Sequence, residues 1–144
     1  MRLIATSTIN DASYGYNEEM LFKLDNGQIW IQAEYKYNYN YSYRPEVKIY
    51  TDNINYYLQL EDMDEYVVVR KVDNYFESII VSEFNGWRGD TIFKLQNGQV
   101  WKQSQYNYLY HYAYNPRILI YNDGYKYMMK VDGIENKLPV IRIK

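Results

Sequence analysis

The sequence predicts an all-β protein made of two tandem small barrels, and three observations carry that expectation. Apolar residues recur with period 2 over short runs separated by turn residues, and no segment has the period of an amphipathic helix. Residues 35–43 read Tyr-Lys-Tyr-Asn-Tyr-Asn-Tyr-Ser-Tyr, and 106–114 read Tyr-Asn-Tyr-Leu-Tyr-His-Tyr-Ala-Tyr. Five tyrosines at every second position share one face of an extended strand. Finally, residues 22–50 and 93–121 align at a constant offset of 71 without a gap, with 16 identities in 29 positions. That density makes the repeat a structural unit rather than a shared composition.

In the first unit, strands are predicted at 3–9, 19–24, 28–43, 46–50, 56–60 and 66–72. The second unit repeats them at 76–82, 90–95, 99–114, 117–121, 126–131 and 138–143. Near-continuous tyrosine and β-branched content disfavours helix throughout. Asn26-Gly27 and Asn97-Gly98 read as type I′ hairpin turns, in which both central residues take φ > 0. Asp52-Asn53 and Asp123-Gly124 read as a second hairpin, and Asp62 aligns with Gly133 at a further turn. Pro45 and Pro116 lack an amide donor, so the long strand must break or reach an edge there. That strand would span roughly 50 Å if straight, too long for the unit. A kink or bulge is therefore expected near Ala33 and Ser104, where both copies carry a small residue. The boundary falls near Asp73-Asn74, giving units 1–73 and 74–144 without a Gly/Ser linker.

Five or six short strands in about 70 residues, near the lower limit for a lone domain, with one long bent strand, describe an SH3-like barrel. The pattern Phe-Lys-Leu-x-Asn-Gly-Gln-(Ile/Val)-Trp-x-Gln, a tyrosine ladder, a proline and Ile-Tyr occurs at 22–50 and again at 93–121. It resembles a tandem small-barrel domain of uncharacterised bacterial proteins. The resemblance implies the SH3-like barrel and no activity, so it brings no functional residues with it.

The totals restrict function. Cysteine is absent, which excludes disulfides and thiolate chemistry. The N-terminus has no signal-peptide pattern, and no apolar run approaches a membrane span, so the chain reads as soluble and cytoplasmic. A net charge of −2 and a pI near 5.4 disfavour a nucleic-acid partner. The single histidine, His111, aligns with Asn40 and reads as a surface residue. One histidine with no Gly-x-Ser-x-Gly elbow supports no catalytic triad, and a His/Cys metal set is not available. Phosphate-binding glycine motifs are also missing. The chain reads as a protein that is not an enzyme and takes no cofactor.

The tyrosine ladders are the candidate site, and two readings compete. Continuous alternation would put Tyr35 to Tyr43 on one face with Ile29 and Ile31, as core. The opposite face, with Trp30, Gln32, Glu34 and Lys36, would then be solvated. A barrel of this size cannot enclose five tyrosines from one strand, however, and each buried hydroxyl needs a partner. Some tyrosines must therefore protrude, line a groove or pack between units. Tyr39, Tyr41, Tyr110 and Tyr112 are the binding candidates, being distal to the hairpin. Trp30 and Trp101, opposite the ladder under strict alternation, are the next, unless a bulge turns them inward. The expected function is a non-catalytic module that engages a peptide or protein through aromatic stacking. Nucleic-acid or nucleotide stacking and self-assembly into a homo-oligomer are the alternatives.

Overall fold

The computed structural model describes residues 1–144, which divide into two units, Met1–Asp73 and Asn74–Lys144. The fold is all-β, with no helix. The first unit contains β1 (Arg2–Thr8), β2 (Ala12–Tyr16), β3 (Leu21–Lys23), β4 (Ile29–Gln32), β5 (Asn38–Tyr43), β6 (Glu46–Thr51), β7 (Tyr56–Leu60) and β8 (Val67–Lys71). The second contains β9 (Tyr75–Ile79), β10 (Glu83–Phe84), β11 (Ile92–Lys94), β12 (Val100–Gln103), β13 (Ala113–Tyr114), β14 (Arg117–Asn122), β15 (Tyr127–Val131) and β16 (Leu138–Arg142).

Both units have one topology. A six-stranded antiparallel sheet runs β1-β6-β7-β8-β4-β3 in the first and β9-β14-β15-β16-β12-β11 in the second. Each sheet curls until its outer strands meet. Ile9 bridges Leu24, and Asn10 N–H donates to the Lys23 carbonyl at 2.9 Å. The second unit closes through Ile80 and Leu95, with Val81 N–H on the Lys94 carbonyl at 2.9 Å. A closed sheet leaves its main ladders without an open edge. A separate two-stranded ribbon, β2-β5 or β10-β13, lies outside that sheet.

The core follows from alternation. Along β6, Val47, Ile49 and Thr51 are buried, whereas Glu46 is exposed and Lys48 and Tyr50 are half-buried. Phe22, Leu58 and Val67 pack with Val47 and Ile49 in the first unit. Phe93, Met129 and Leu138 pack with Ile118 and Ile120 in the second.

Three local expectations are corrected. Asn26 and Asn97 do not take positive φ; only Gly27 and Gly98 do, at 88° and 89°. Gly27 N–H donates to the Leu24 carbonyl at 3.1 Å, and Leu24 N–H donates to the Gln28 carbonyl at 2.9 Å. The turn is thus a three-residue loop closed by a left-handed glycine, not the two-residue type I′ turn. The predicted continuous strand at 28–43 is two strands, β4 and β5, belonging to different sheets. Its counterpart at 99–114 is likewise divided into β12 and β13. Both breaks follow the residues expected to kink: Ala33 N–H makes the last bond, to the Val68 carbonyl at 2.7 Å, and Ser104 N–H does the same with Pro139 at 3.0 Å. Strands β2 and β10, which partner the ladder segments, lie in stretches that had no strand prediction.

Candidate functional site

The site begins where β4 ends. All four residues of β4, Ile29 to Gln32, are buried, because this strand lies inside the barrel wall. Trp30 is 2% exposed and Trp101 3%. Their indole nitrogens donate to Gln28 Oε1 at 3.2 Å and Gln99 Oε1 at 2.9 Å. The Trp30 ring meets Tyr56 at 5.3 Å, and the Trp101 ring meets Tyr127 at 5.3 Å. Neither tryptophan offers a surface to a ligand, so both are removed as binding candidates. The spacing Asn-Gly-Gln-x-Trp acquires a structural meaning instead. The asparagine carboxamide receives the glutamine N–H at 2.9 Å in both copies, and the glutamine side chain satisfies the buried indole.

Beyond β4 the chain is turned by a buried amide. Gln32 Nε2 donates to the carbonyls of Glu34 at 3.1 Å and Lys36 at 2.8 Å, while its Oε1 accepts from Asn17 N–H at 2.9 Å. Gln103 repeats this with Gln105 at 3.0 Å, Asn107 at 2.9 Å and Thr91 N–H at 3.4 Å. The expectation of a solvated Gln32 is thus overturned. Capture of two carbonyls bends the backbone away from the barrel and breaks the parity that would have made the ladder core.

The emerging strand is laid against β2 or β10 at a glycine. Gly15 has φ +87°, and a Cβ there would lie 2.1 Å from the Asn38 carbonyl oxygen and 2.7 Å from the Asn40 nitrogen. At Gly86, φ +86°, a Cβ would lie 1.8 Å from the Leu109 carbonyl oxygen. Only glycine permits this approach. The next residue anchors each ribbon to its core. Tyr16 is fully buried, its hydroxyl donating to the Glu65 carbonyl at 2.9 Å and accepting Leu60 N–H at 3.0 Å. Burial pushes its pKa up to about 12, against the Leu60 bond, which favours the phenolate. Trp87 takes the same place in the second unit, with its indole N–H on Asn107 Oδ1 at 3.3 Å.

All ten ladder tyrosines are consequently exposed, from 54% at Tyr112 to 82% at Tyr35. Tyr39, Tyr41, Tyr110 and Tyr112 are among them, and the reading of the ladders as core is corrected. Of the residues between the tyrosines, Asn40 and Ser42 are half-buried, and Leu109 and Ala113 pack on the core of the second unit. Tyr14, on β2, adds its ring 5.6 Å from that of Tyr41. Sequence reasoning passed over Tyr14, although it precedes the Gly15-Tyr16 pair that aligns with Gly86-Trp87.

The electrostatics around the first ladder are internally balanced. Lys36 Nζ donates to the Tyr66 carbonyl at 2.6 Å and lies 3.4 Å from Glu34 and 3.9 Å from Glu65. Arg44 pairs with Asp25, which also accepts from Thr8 and Asn10. The Thr8 hydroxyl, then Asn10, hold the Asp25 carboxyl below the usual carboxylate range, with Arg44 adding to the effect. His111 is half-buried between Tyr110 and Tyr112. Two surface depressions of the first unit, one beside Thr51 and Tyr56 and one beside Glu46 and Met63, contain no ladder tyrosine. No group of three or more His, Cys, Asp or Glu is placed to hold a metal ion, and no helix is long and apolar enough to cross a membrane. The arrangement is an exposed aromatic row on a fixed backbone, suited to stacking and hydroxyl hydrogen bonds. No family model, curated protein or solved structure matches this chain.

Proposed function

We propose that the chain is a non-catalytic interaction module, cytoplasmic and of the bacterial tandem-barrel kind, whose tyrosine ladders engage a peptide or protein. One observation carries the reading: ten tyrosines stand in solvent on backbone that buried glutamines and close-approach glycines hold in place. Fixing aromatic side chains before contact lowers the entropy lost on binding, and tyrosine gives a large amphipathic contact with few torsions. With roughly 200 Å² available per tyrosine, each ladder presents on the order of 650 Å², comparable to one side of a standard protein interface. A nucleic-acid partner finds less support, because Lys36 and Arg44 are engaged by carboxylates of their own unit.

The test is to select binders to the intact protein from a displayed random dodecapeptide library and to measure them against Tyr39→Ser/Tyr41→Ser and Tyr110→Ser/Tyr112→Ser. A loss of at least tenfold in affinity with an unchanged melting temperature is expected. Affinity that survives in both variants, or a library that yields no binder, rejects the reading.

A further inference from the structure

The ladder strand has only one neighbour. Strand β5 pairs with β2 alone, and the ladder backbone of the second unit pairs with β10 and Trp87 alone. Which backbone groups are left over follows from the register. The Asn38 carbonyl and the Asn40 N–H face β2, since both crowd Gly15. In the second unit Leu109 exchanges both bonds with Trp87, at 2.9 and 3.0 Å. Backbone groups alternate sides along an antiparallel strand. The N–H and C=O of Tyr39 and Tyr41, and of Tyr108 and Tyr110, therefore point to the free edge, along which no further strand of the chain pairs. The residues that offer aromatic rings to solvent are the same ones that turn their backbone groups to that edge.

Proteins ordinarily protect such an edge with charge, proline or a covering segment. Here the segment 106–114 has no charged residue, and Lys36 and Arg44 flank the core of the first ladder while paired to carboxylates. Tyrosines two residues apart recur about every 6.6 Å, the repeat of same-face side chains in any extended peptide.

We propose that each ladder edge accepts an extended, uncharged segment of a different protein by β-strand addition. The partner backbone bonds the N–H and C=O groups of Tyr39 and Tyr41, or Tyr108 and Tyr110, and its alternate side chains lie beside the tyrosine row. This rests on the reading of the ladders as a peptide-binding surface and adds the mode of recognition. The balanced charges along the ladder fit an uncharged segment rather than a phosphate backbone. A second copy of the chain is the other occupant, and the mass measurement below separates it from a different protein.

The experiment uses the selected dodecapeptides, each resynthesised with single N-methyl groups scanned along the backbone, and measures binding to the full chain together with amide exchange. Methylation at every second position should weaken binding at least tenfold, the intervening positions should have little effect, and exchange at the Tyr39, Tyr41, Tyr108 and Tyr110 amides should slow. Binding that depends on the tyrosines but tolerates N-methylation throughout overturns strand addition and leaves the wider reading standing. Binding indifferent to the tyrosines, or no binder at all, overturns both. A mass that rises with protein concentration and falls when peptide is added puts a second copy on the edge, and the proposed partner is then wrong.

Discussion

The side-chain nitrogen of Gln32 donates to the backbone carbonyl of Lys36 at 2.8 Å, which ends the barrel strand and starts the ladder. Three backbone groups depend on this one carboxamide: the Asn17 N–H and the Glu34 and Lys36 carbonyls. Gln32→Ala leaves them to find water at a buried position, and a destabilisation of about 2 kcal/mol is expected. Gln32→Glu should cost at least as much, because it sets an acceptor against two carbonyls. Chemical denaturation gives the energies, and faster amide exchange at residues 34–39 should accompany them. Gln103→Ala should act equally in the second unit.

Glycine has a different weight at different turns of this fold. Gly15→Ala and Gly86→Ala each drive a Cβ into backbone, at 2.1 and 1.8 Å, and both sites have positive φ. Gly27→Ala and Gly98→Ala meet nothing within 4 Å. The hairpin substitutions should cost only the left-handed conformation, about 1 kcal/mol. The ribbon substitutions should cost clearly more and detach the ladder from its partner strand. Urea midpoints for the four variants give the ranking, and equal costs would contradict it.

Alkaline pH should weaken the first unit selectively through Tyr16. Its folded pKa of about 12 lies above the ordinary 10.0. Below pH 10 the hydroxyl is protonated in both folded and unfolded chains, so its contribution is complete. Between pH 10 and 12 the unfolded chain gives up the proton first, and stability falls by an amount on the order of 2 kcal/mol. Tyr16→Phe should be less stable at neutral pH, since Leu60 N–H loses its acceptor, and should lack this alkaline loss. Denaturation at pH 8 and pH 11 for both proteins measures the difference.

The three tryptophans, Trp30, Trp87 and Trp101, are all buried. Acrylamide should quench their fluorescence poorly until the protein unfolds. Trp30→Ala should destabilise the first unit by about 4 kcal/mol, a loss that a surface binding residue would not produce.

The all-β class was legible in the period-2 pattern, and the repeat announced a fold occurring twice. Ile29 and Ile31 were legible as core for the same reason. The face of the ladder was not, because parity carries over only along an unbroken strand. A single buried glutamine, indistinguishable in sequence from a solvated one, resets it after Gln32. The volume of five tyrosines was the better guide, since it required some of them to protrude whatever the register. Strand β2 was missed because it is short and its pairing with β5 shifts register between Ser13 and Gly15. The identity of Gly15 with Gly86 marked the place, but its cause is a backbone contact distant in sequence. Trp30 was misplaced because β4 is buried on both faces, which alternation does not anticipate, and Trp101 because the buried face of β12 is the one it shares with Gln103.

Tetranitromethane modification of the folded protein, with each nitrated tyrosine located by mass spectrometry, tests the exposed ladder most directly. Tyr35 to Tyr43 and Tyr106 to Tyr114, at alternate positions, should react readily, while Tyr16 and Tyr121 stay protected. Protection of Tyr39, Tyr41, Tyr110 and Tyr112 in a demonstrated monomer would contradict the exposed ladder and, with it, the function assigned to it.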